Sequence, residues 1–456
     1  MKSIFCLTAV CALAITLFAS PISAKIYDAN WTDLDARPTP QWYQDAKFGI
    51  FIHWGLYSVP AWTKKGQYAE WYWNQLNDPN YPTTIDFHKR VYGSKFRYED
   101  FAAMFKAELF DPNQWAALFK RSGARYVVLT SKHHDGFCLW PSEQANKSWG
   151  HPWNSVDTGP KRDLLGDLTT AVRKSGVKMG FYYSLYEWYN PLYKNNFTQY
   201  RDKHFLRQFK DVVTRYKPSV IFVDGEWDHS SKEWQTEKLV AWLFNESGCG
   251  DELAINDRWG KETRNAHGGY YSTEYGDTDA SNKFAGRMWE ECRGLGKSFG
   301  FNRNEDLEDY QTAQQLIHLL IKIVSKGGNL LLDIGPAADG TIPVIMQERL
   351  IEVGNWLAVN GDAIYGSRQW RVGGDGNDIC YTSKENAVYA LVLKHPGEKL
   401  VLHAPKTTNK TRVELLGYSG TLQYAAQETG LCISLPPLPH GQQCSAAYVL
   451  KLTGVE

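Results

Sequence analysis

The sequence predicts an α/β protein, in which a (β/α)8-type barrel is followed by a smaller antiparallel β-sandwich. Two observations predict this architecture. From residue 45 to about 360, short β-rich runs alternate with helical stretches, and this alternation is typical of βα units around a parallel sheet. After residue 362 only short alternating strands remain, separated by Gly, Pro and Asn. The 456 residues also exceed what one ordinary core accommodates.

The first half of the pattern contains six β-rich runs and at least four amphipathic helical stretches. The predicted strands span 48–53, 126–131, 179–184, 220–224, 253–257 and 329–334, and the predicted helices span 111–122, 163–175, 200–215 and 312–325. About 300 residues of such units suit a closed barrel. Because eight complete units cannot be counted, an irregular barrel is expected.

The second half of the pattern begins after a break at 360–362. Its predicted strands are 378–383, 387–394, 399–403, 412–416, 431–435 and 446–451. The predicted division is therefore a signal peptide over 1–24, a barrel domain over 25–362 and a sandwich domain over 363–456.

The N-terminus has the three parts of a secretory signal peptide. Lys2 supplies a positive charge, residues 4–18 form a short apolar run, and Ile22-Ser23-Ala24 offers small residues for cleavage. No later run is apolar for 18 residues, so membrane insertion is not expected. These features predict a protein of the secretory pathway, destined for the lysosome or the extracellular space.

Cysteines and sequons fit that compartment. Six cysteines follow the signal peptide, which permits up to three disulfides, and the favoured pair is Cys432 with Cys444, on either side of a Pro-rich turn. Five Asn-x-Ser/Thr sequons predict a glycosylated protein, at Asn30, Asn146, Asn196, Asn245 and Asn409.

Charge and aromatic content narrow the class of ligand. Lys+Arg and Asp+Glu both number 50, so no basic field is available to attract nucleic acid or anionic lipid. Aromatic residues make up 14% of the chain, with 18 Trp and 26 Tyr. Their flat apolar faces suit the C–H faces of sugars, which shifts the expectation slightly toward carbohydrate.

The predicted strand ends carry an unusual number of polar and aromatic residues. Functional residues of such barrels cluster where the strands end. Five successive runs meet this criterion, at His53-Trp54, 132–135 (KHHD), Tyr182-Tyr183, 224–227 (DGEW) and 257–259 (DRW). Packing does not explain five such ends in sequence, so a catalytic or ligand-binding cleft is expected there.

Carboxylates, histidines and tryptophans without a cofactor motif favour glycoside hydrolysis, which needs two carboxyl groups around an oxocarbenium-like transition state. Asp224 follows four strand residues, so a rigid element aims it. A helix-capping Asp at a βα turn is the alternative interpretation, and Glu226 is a local rival. The histidine pair His133-His134 also admits a metal-binding or purely structural role.

Long motifs resemble a known family. The stretches that carry the resemblance include FGIFIHWGLYSVPAW (48–62), EWYWNQ (70–75), LTSKHHDGFCLWPS (129–142), GFYYSLYEW (180–188), FVDGEW (222–227), NDRWG (256–260), SFGFNRNED (298–306) and VSKGGNLLLDIGPAADGTIP (324–343). They are similar to the α-L-fucosidases of glycoside hydrolase family 29, in the same order and over nearly the whole mature chain.

The resemblance implies a retaining exo-mechanism on terminal fucose of glycans, with Asp224 as the nucleophile and without metal or organic cofactor. The pocket residues that it implies are His53, Glu70, Trp71, His133, His134, Tyr182, Arg258 and Phe299. Trp71 and Phe299 would cover the apolar side of the sugar and its C6 methyl group. The family also often forms oligomers, so a homo-oligomer is an open expectation.

The general acid/base is left open among three residues. Glu274 matches the bacterial pattern best, Asp277 lies in a loop that departs from both family patterns, and Glu290 follows another family signature. Two other functions also stay open. A lectin-like protein on the same scaffold would bind fucose without turnover, and a metal-dependent hydrolase would use His133, His134 and Asp135.

Overall fold

A computed structural model describes residues 25–276, 284, 286–438 and 446–456. Eight strands form one curled parallel sheet: β1 Phe48–Ile52, β2 Tyr126–Lys132, β3 Lys178–Ser184, β4 Val220–Asp224, β5 Ala254–Ile255, β6 Tyr271–Glu274, β7 Trp289–Gly294 and β8 Asn329–Ile334. Their order across the sheet is β5-β4-β3-β2-β1-β8-β7-β6. This arrangement confirms the predicted barrel-type fold.

The barrel is irregular between its two edge strands, β5 and β6. Strand β5 is only two residues long, and the sheet order ends at both of these strands. The backbone N–H groups of Gly269 and Tyr270 donate to the carbonyls of Asn256 and Ile255, at 3.1 and 2.9 Å. These bonds join the two edges just before β6 begins.

The helices lie in the connections between the strands. They span α1 Trp31–Leu34, α2 Gln41–Ala46, α3 Tyr72–Leu76, α4 Pro82–Val91, α5 Pro112–Arg121, α6 Glu143–Trp149, α7 Leu164–Lys174, α8 Pro191–Asn195, α9 Phe197–Gln199, α10 Leu206–Tyr216, α11 Ser231–Trp234, α12 Thr236–Asn245, α13 Ala313–Ser325 and α14 Val344–Asn360. Short 3-10 turns cover Leu56–Ser58, Ala69–Trp71, Tyr98–Ala103, Gly250–Glu252, Leu307–Asp309 and Gly361–Ala363, and a π-helical turn covers Tyr200–Phe205. Among the described residues, no helix is both long and apolar enough to cross a bilayer.

Two strands of the barrel were not predicted from the sequence. Strands β6 and β7 have the sequences YSTE and WEECRG, which lack a run of apolar residues. Their polar side chains enter the interior: Glu290 is fully buried, and Ser272 is 5% exposed. Strands that carry polar groups inward do not have the hydrophobic pattern on which the prediction relied.

The C-terminal part consists of two antiparallel sheets, as predicted. The first has the order β13-β16-β11-β10-β9 and the second β12-β15-β14. Their strands are β9 Arg368–Asp375, β10 Ile379–Lys384, β11 Ala387–Val392, β12 Lys399–Leu402, β13 Thr407–Leu415, β14 Gln423–Gln427, β15 Gly430–Ser434 and β16 Tyr448–Val455. Their apolar side chains form a core of their own around Tyr381, Leu402 and Leu450.

The sandwich packs against the outer helices of the barrel. Trp356 Nε1 on α14 donates to the carbonyl of Ala447 at 2.9 Å, and His318 on α13 contacts the carbonyl of Ala446 at 2.7 Å. The division at residue 362 stays a prediction. So does the Cys432–Cys444 disulfide, since Cys444 lies outside the described residues; the five described cysteines form no disulfide with one another.

Candidate active site

The carboxyl ends of the barrel strands bring the predicted residues together around Asp224, the last residue of β4. Its Oδ1 accepts hydrogen bonds from Arg258 Nη1 at 3.0 Å and Arg264 Nη2 at 3.2 Å, and its Oδ2 accepts one from Tyr182 Oη at 3.0 Å. His134 Nε2 lies 3.5 Å from Oδ2. Asp224 is 8% exposed, so a nearly buried carboxylate is held by three side-chain donors.

These neighbours keep Asp224 ionised. Burial by itself raises the pKa of the carboxyl, but the positive field of Arg258, together with His134 and Arg264, outweighs it and lowers the pKa to about 2. Asp224 is therefore anionic at mildly acidic and at neutral pH.

Arg258 links Asp224 to the end of β6. The same Nη1 atom that donates to Asp224 also donates to Glu274 Oε1, and Nε donates to Ser272 Oγ at 2.8 Å. The guanidinium also lies over the ring of Phe222, 4.7 Å from its centroid. The side chain of Glu274 is 35% exposed, so it lies at the rim of the site. Arg258 Nη1 bridges it to Asp224.

Both histidines of the 133–134 pair belong to the site, because β2 ends at Lys132 and the alternation of strand faces no longer applies to them. Their rings lie 4.1 Å apart, and the ring of His133 stacks on Tyr182 at 5.6 Å. Burial, as the largest cause, lowers the pKa of His134 to about 4 against the opposing charge of Asp224. Burial likewise lowers the pKa of His133.

The hydrogen bonds of Ser184 fix the tautomer of His134. Ser184 Oγ donates its only proton to the carbonyl of Tyr186 at 2.6 Å, so it accepts the bond from His134 Nδ1, also at 2.6 Å. In the neutral imidazole the proton therefore sits on Nδ1. Nε2 is left as an acceptor that faces Asp224 and the hydroxyl of Tyr182, which is 3.4 Å away.

His53 is oriented by a partner that the sequence did not reveal. Its Nδ1 lies 2.6 Å from Oδ1 of Asp333, on the neighbouring strand β8, and both residues are buried. Burial lowers the pKa of His53 to about 3 and raises that of Asp333 well above its usual range. Such a pair fixes the ring and leaves Nε2 for a ligand.

Glu70 is a buried carboxyl held by the 298–300 segment. Its Oε2 accepts from the backbone N–H of Gly300 at 2.8 Å and from Ser298 Oγ at 3.3 Å. Burial raises the pKa of Glu70 to about 7 despite these donors. The group can therefore exchange between acceptor and donor near neutral pH.

Aromatic rings form two walls of the site. Trp71 lies 5.2 Å from Trp188, 5.7 Å from His134 and 6.1 Å from Trp227, between ring centroids. On the other wall, Phe299 lies 5.0 Å from His53, and the rings of Tyr68 and Tyr275 are 5.5 and 5.4 Å from it. The site thus combines apolar walls with a charged floor, as a sugar with one apolar edge requires.

One of the three acid/base candidates, Glu290, is not part of this constellation. Glu290 is the second residue of β7 and lies at the amino-terminal end of the sheet. There Tyr43 Oη donates to it at 2.6 Å and Tyr126 Oη also donates to it. Burial raises the pKa of Glu290 to about 7. Its hydrogen bonds to Tyr43 and Tyr126, however, lie in the barrel interior and not beside Asp224. Asp277 lies outside the described residues.

Of the three residues weighed as metal ligands, Asp135 has its carboxylate bonded to other residues. Asp135 accepts hydrogen bonds from Tyr98 Oη at 2.8 Å and from the backbone N–H of Phe137 at 3.0 Å. Its carboxylate therefore stabilises the loop that follows β2. Within the described part of the chain, no group of three His, Cys, Asp or Glu side chains is arranged to hold a metal ion.

Sequence reasoning missed two contributors to the site, Arg264 and Asp333, which lie far from their partners Asp224 and His53 along the chain. It gave no role to Trp188 or Trp227, although both lie inside motifs that the sequence analysis had quoted. The aromatic content near those strand ends could have pointed to the two tryptophans. No local signal identifies Arg264 or Asp333.

A fixed, ionised aspartate at a strand end, a second carboxylate that shares its arginine, and aromatic walls define a glycoside hydrolase on a barrel scaffold. A family model described as alpha-L-fucosidase matches residues 14–362, and one described as alpha-L-fucosidase C-terminal domain matches residues 376–453. The chain belongs to the α-L-fucosidase family.

Relatives and solved structures agree with this assignment. The chain is 43% identical to an α-L-fucosidase of Dictyostelium discoideum, over 97% of this chain and 98% of the relative. It is 43% identical to the tissue α-L-fucosidase of Homo sapiens, over 94% and 92%. The structure resembles that of Thermotoga maritima α-fucosidase in complex with fucose, with a TM-score of 0.80, 37% identity and coverage of 94% and 100%.

Proposed function

We propose that this chain is a retaining exo-α-L-fucosidase that releases terminal α-L-fucose from glycoproteins, glycolipids and oligosaccharides through a covalent fucosyl-aspartate intermediate. The observation that carries the proposal is the arginine shared by Asp224 and Glu274. Because one nitrogen, Arg258 Nη1, bonds an oxygen of each carboxylate, those oxygens lie within two hydrogen-bond lengths, less than about 6 Å apart. Retaining glycosidases separate their carboxyls by about 5–5.5 Å, and inverting ones by about 6.5–9.5 Å.

In the first step Asp224 attacks the anomeric carbon, and its C–O bond to the sugar forms as the glycosidic bond breaks. Glu274 gives a proton to the departing oxygen. In the second step Glu274 takes a proton from water, which attacks the same carbon as the C–O bond to Asp224 breaks. Fucose leaves with retained configuration, and the Asp224 carboxylate is regenerated. The ionisation of Asp224 supports its role as nucleophile. The exposed position of Glu274 supports its role because the side chain can turn from Arg258 toward the leaving group.

The remaining predicted residues fit the recognition of a 6-deoxy sugar. Burial keeps His53, His133 and His134 neutral, so each presents a donor or an acceptor to a hydroxyl group rather than a charge. Trp71 and Phe299 offer apolar ring faces to the sugar. The Thermotoga maritima enzyme was crystallised with fucose, which supports the same ligand here.

The experiment follows the configuration of the product and the loss of turnover in matched variants. Hydrolysis of 4-nitrophenyl α-L-fucoside, followed by ¹H NMR, is expected to release the α-anomer first. Asp224→Ala is expected to lose turnover and to regain it with azide, giving the inverted fucosyl azide. Release of the β-anomer first, or near-normal turnover by Asp224→Ala, would contradict the mechanism. Binding of fucose without turnover by the wild type would favour the lectin-like alternative.

The acid/base is assigned by comparing Glu274→Gln, Asp277→Asn and Glu290→Gln on two substrates. An aryl fucoside with a good leaving group needs no proton, whereas a fucosylated oligosaccharide does. Loss of the acid should therefore impair cleavage of the oligosaccharide much more than formation of the fucosyl-enzyme from the aryl fucoside. We expect this pattern for Glu274→Gln alone. The same pattern in Asp277→Asn would transfer the role to that residue.

We further propose that the protein acts in the secretory pathway, in the lysosome or outside the cell. The signal-like N-terminus and five sequons support this location, as do relatives described as tissue and plasma α-L-fucosidases. Four of the sequon asparagines, Asn30, Asn196, Asn245 and Asn409, are exposed. Immunolocalisation of the full chain, compared with a variant that lacks residues 1–24, tests the proposal. Identical cytosolic staining of both forms would contradict it.

A further inference from the structure

A second ion pair lies beside Asp224 and has no part in the mechanism above. Arg264 Nη2 donates to Asp224 Oδ1 at 3.2 Å, and its Nε donates to Glu226 Oε1. Glu226 is 1% exposed, and the side chain of Arg264 is 35% exposed. A buried carboxylate thus stands two residues from the nucleophile and is joined to it through one guanidinium.

Packing alone does not account for this arrangement. Burying a charge is costly unless it is paired, and Glu226 Oε2 has no hydrogen-bond partner among the described residues. Gly225 makes the turn that brings Glu226 back toward the site, with φ of +76°. A Cβ at Gly225 would lie 2.4 Å from the ring of Tyr186, so the turn requires glycine.

We propose that Arg264 and Glu226 form a positioning pair, which fixes Oδ1 of Asp224 and sets the net charge beside the nucleophile. This inference rests on the proposed role of Asp224. The guanidinium groups of Arg258 and Arg264 both donate to Oδ1 of Asp224, whereas Oδ2 accepts a hydrogen bond from the hydroxyl of Tyr182 alone. The pair orients the carboxylate so that Oδ2 is the oxygen presented to the sugar.

The charges around Asp224 determine the sign of each test. The titratable and charged groups that face it are His53, His134, Tyr182, Tyr186, Glu226, Arg258, Arg264 and, through Arg258, Glu274. Burial and the charge of Asp224 raise the pKa of Glu226, whereas Arg264 lowers the pKa of both carboxyls, so the guanidinium offsets the repulsion between them. Removing Arg264 alone leaves the carboxylates of Asp224 and Glu226 facing each other. Removing Glu226 alone leaves Arg264 as an additional positive charge beside Asp224.

The test measures kcat/KM for 4-nitrophenyl α-L-fucoside as a function of pH, because its acid limb reports the ionisation of the free enzyme's nucleophile. Arg264→Gln is expected to move the acid limb to higher pH by about one unit. Glu226→Gln is expected to move the acid limb of kcat/KM to lower pH than in the wild type. The double variant should return the limb toward the wild-type position, and Arg264→Lys should restore it in part.

The matched controls are Arg349→Gln and Glu352→Gln, which break an ion pair of 3.0 Å on α14, away from the site. They should leave the pH profile unchanged. A merely structural role for Arg264 would lower activity in Arg264→Gln and in the double variant without moving the acid limb, and that result would overturn the proposal. A shift in the same direction for Arg264→Gln and Glu226→Gln would also overturn it.

Failure of this inference is distinguishable from failure of the proposed function. Turnover by the wild type and azide rescue of Asp224→Ala test the function without involving Arg264. If both succeed while the acid limbs coincide, only the positioning pair is refuted. If Arg264→Gln does not fold, Glu226→Gln and the double variant provide the comparison, because the acid limb should move to lower pH in the former and return toward the wild-type position in the latter.

Discussion

A buried ion pair behind the histidines provides the sharpest stability prediction. Lys132 Nζ lies 2.7 Å from Glu187 Oε1, and the side chains of both residues are fully buried. His204 Nε2 contacts the same oxygen at 2.7 Å, while Trp149 Nε1 and Asn190 Nδ2 donate to Oε2 at 2.9 and 2.6 Å. Lys132 directly precedes the 133–134 pair, so this cluster anchors the segment that presents both histidines.

The perturbation is Lys132→Met, which keeps most of the volume and leaves Glu187 as a buried anion with one partner fewer. Breaking a buried pair from one side costs about 3–5 kcal/mol of unfolding free energy. For a large domain this corresponds to a decrease in Tm of about 6–10 °C. The backbone N–H of Trp188 donates to the carbonyl of His134 at 2.9 Å, so movement of the 187–188 segment should also lower kcat.

The assay is thermal unfolding by circular dichroism at pH 5, together with kcat/KM for 4-nitrophenyl α-L-fucoside. Lys132→Met/Glu187→Gln removes both charges and should recover part of the lost Tm, because no unpaired carboxylate remains. The reasoning is refuted if the Tm of Lys132→Met lies within about 1 °C of the wild-type Tm, a change much smaller than the expected decrease, and if kcat/KM is unchanged.

Three further predictions concern the turn after the nucleophile, one sequon and the response to acid. Gly225→Ala combines a left-handed φ with a clash against Tyr186, so it should reduce kcat by at least tenfold and lower Tm; normal kinetics would show that the turn relaxes freely. Asn146 should stay unglycosylated, because its Nδ2 donates to Asp157 at 2.7 Å, and glycopeptide mass spectrometry showing full occupancy there would contradict this. Asp224 has its pKa lowered from 3.8 to about 2, so its stabilising contribution is present above about pH 4 and is lost as the pH falls toward 2. The difference in unfolding free energy between wild type and Asp224→Asn should therefore shrink over that window, and a constant difference would disprove the linkage.

Much of the fold could be predicted because its signals are local. Strands such as β2 and β4 are continuous apolar runs, which a strand buried on both faces requires. Strands β6 and β7 could not be predicted, since they carry polar side chains into the barrel and so resemble loops in sequence.

The sequence by itself determined which strand ends carry chemistry. His53, His133, His134 and Asp224 all stand at or just after the end of an apolar run, and parallel strands bring such ends to one edge. The periodicity of the chain is sufficient for that inference because it involves only neighbours along each strand.

The tertiary structure alone decided which charged groups meet there. His53 and Asp333 are 280 residues apart, and Arg264 and Asp224 are 40 apart, yet both pairs lie within hydrogen-bonding distance. The same holds for the two glutamates: Glu274 is the last residue of β6, whereas Glu290 is the second residue of β7 and lies toward the opposite end of the barrel. Such contacts depend on how the sheet curls and how its strands align, and no short segment of the sequence contains that information.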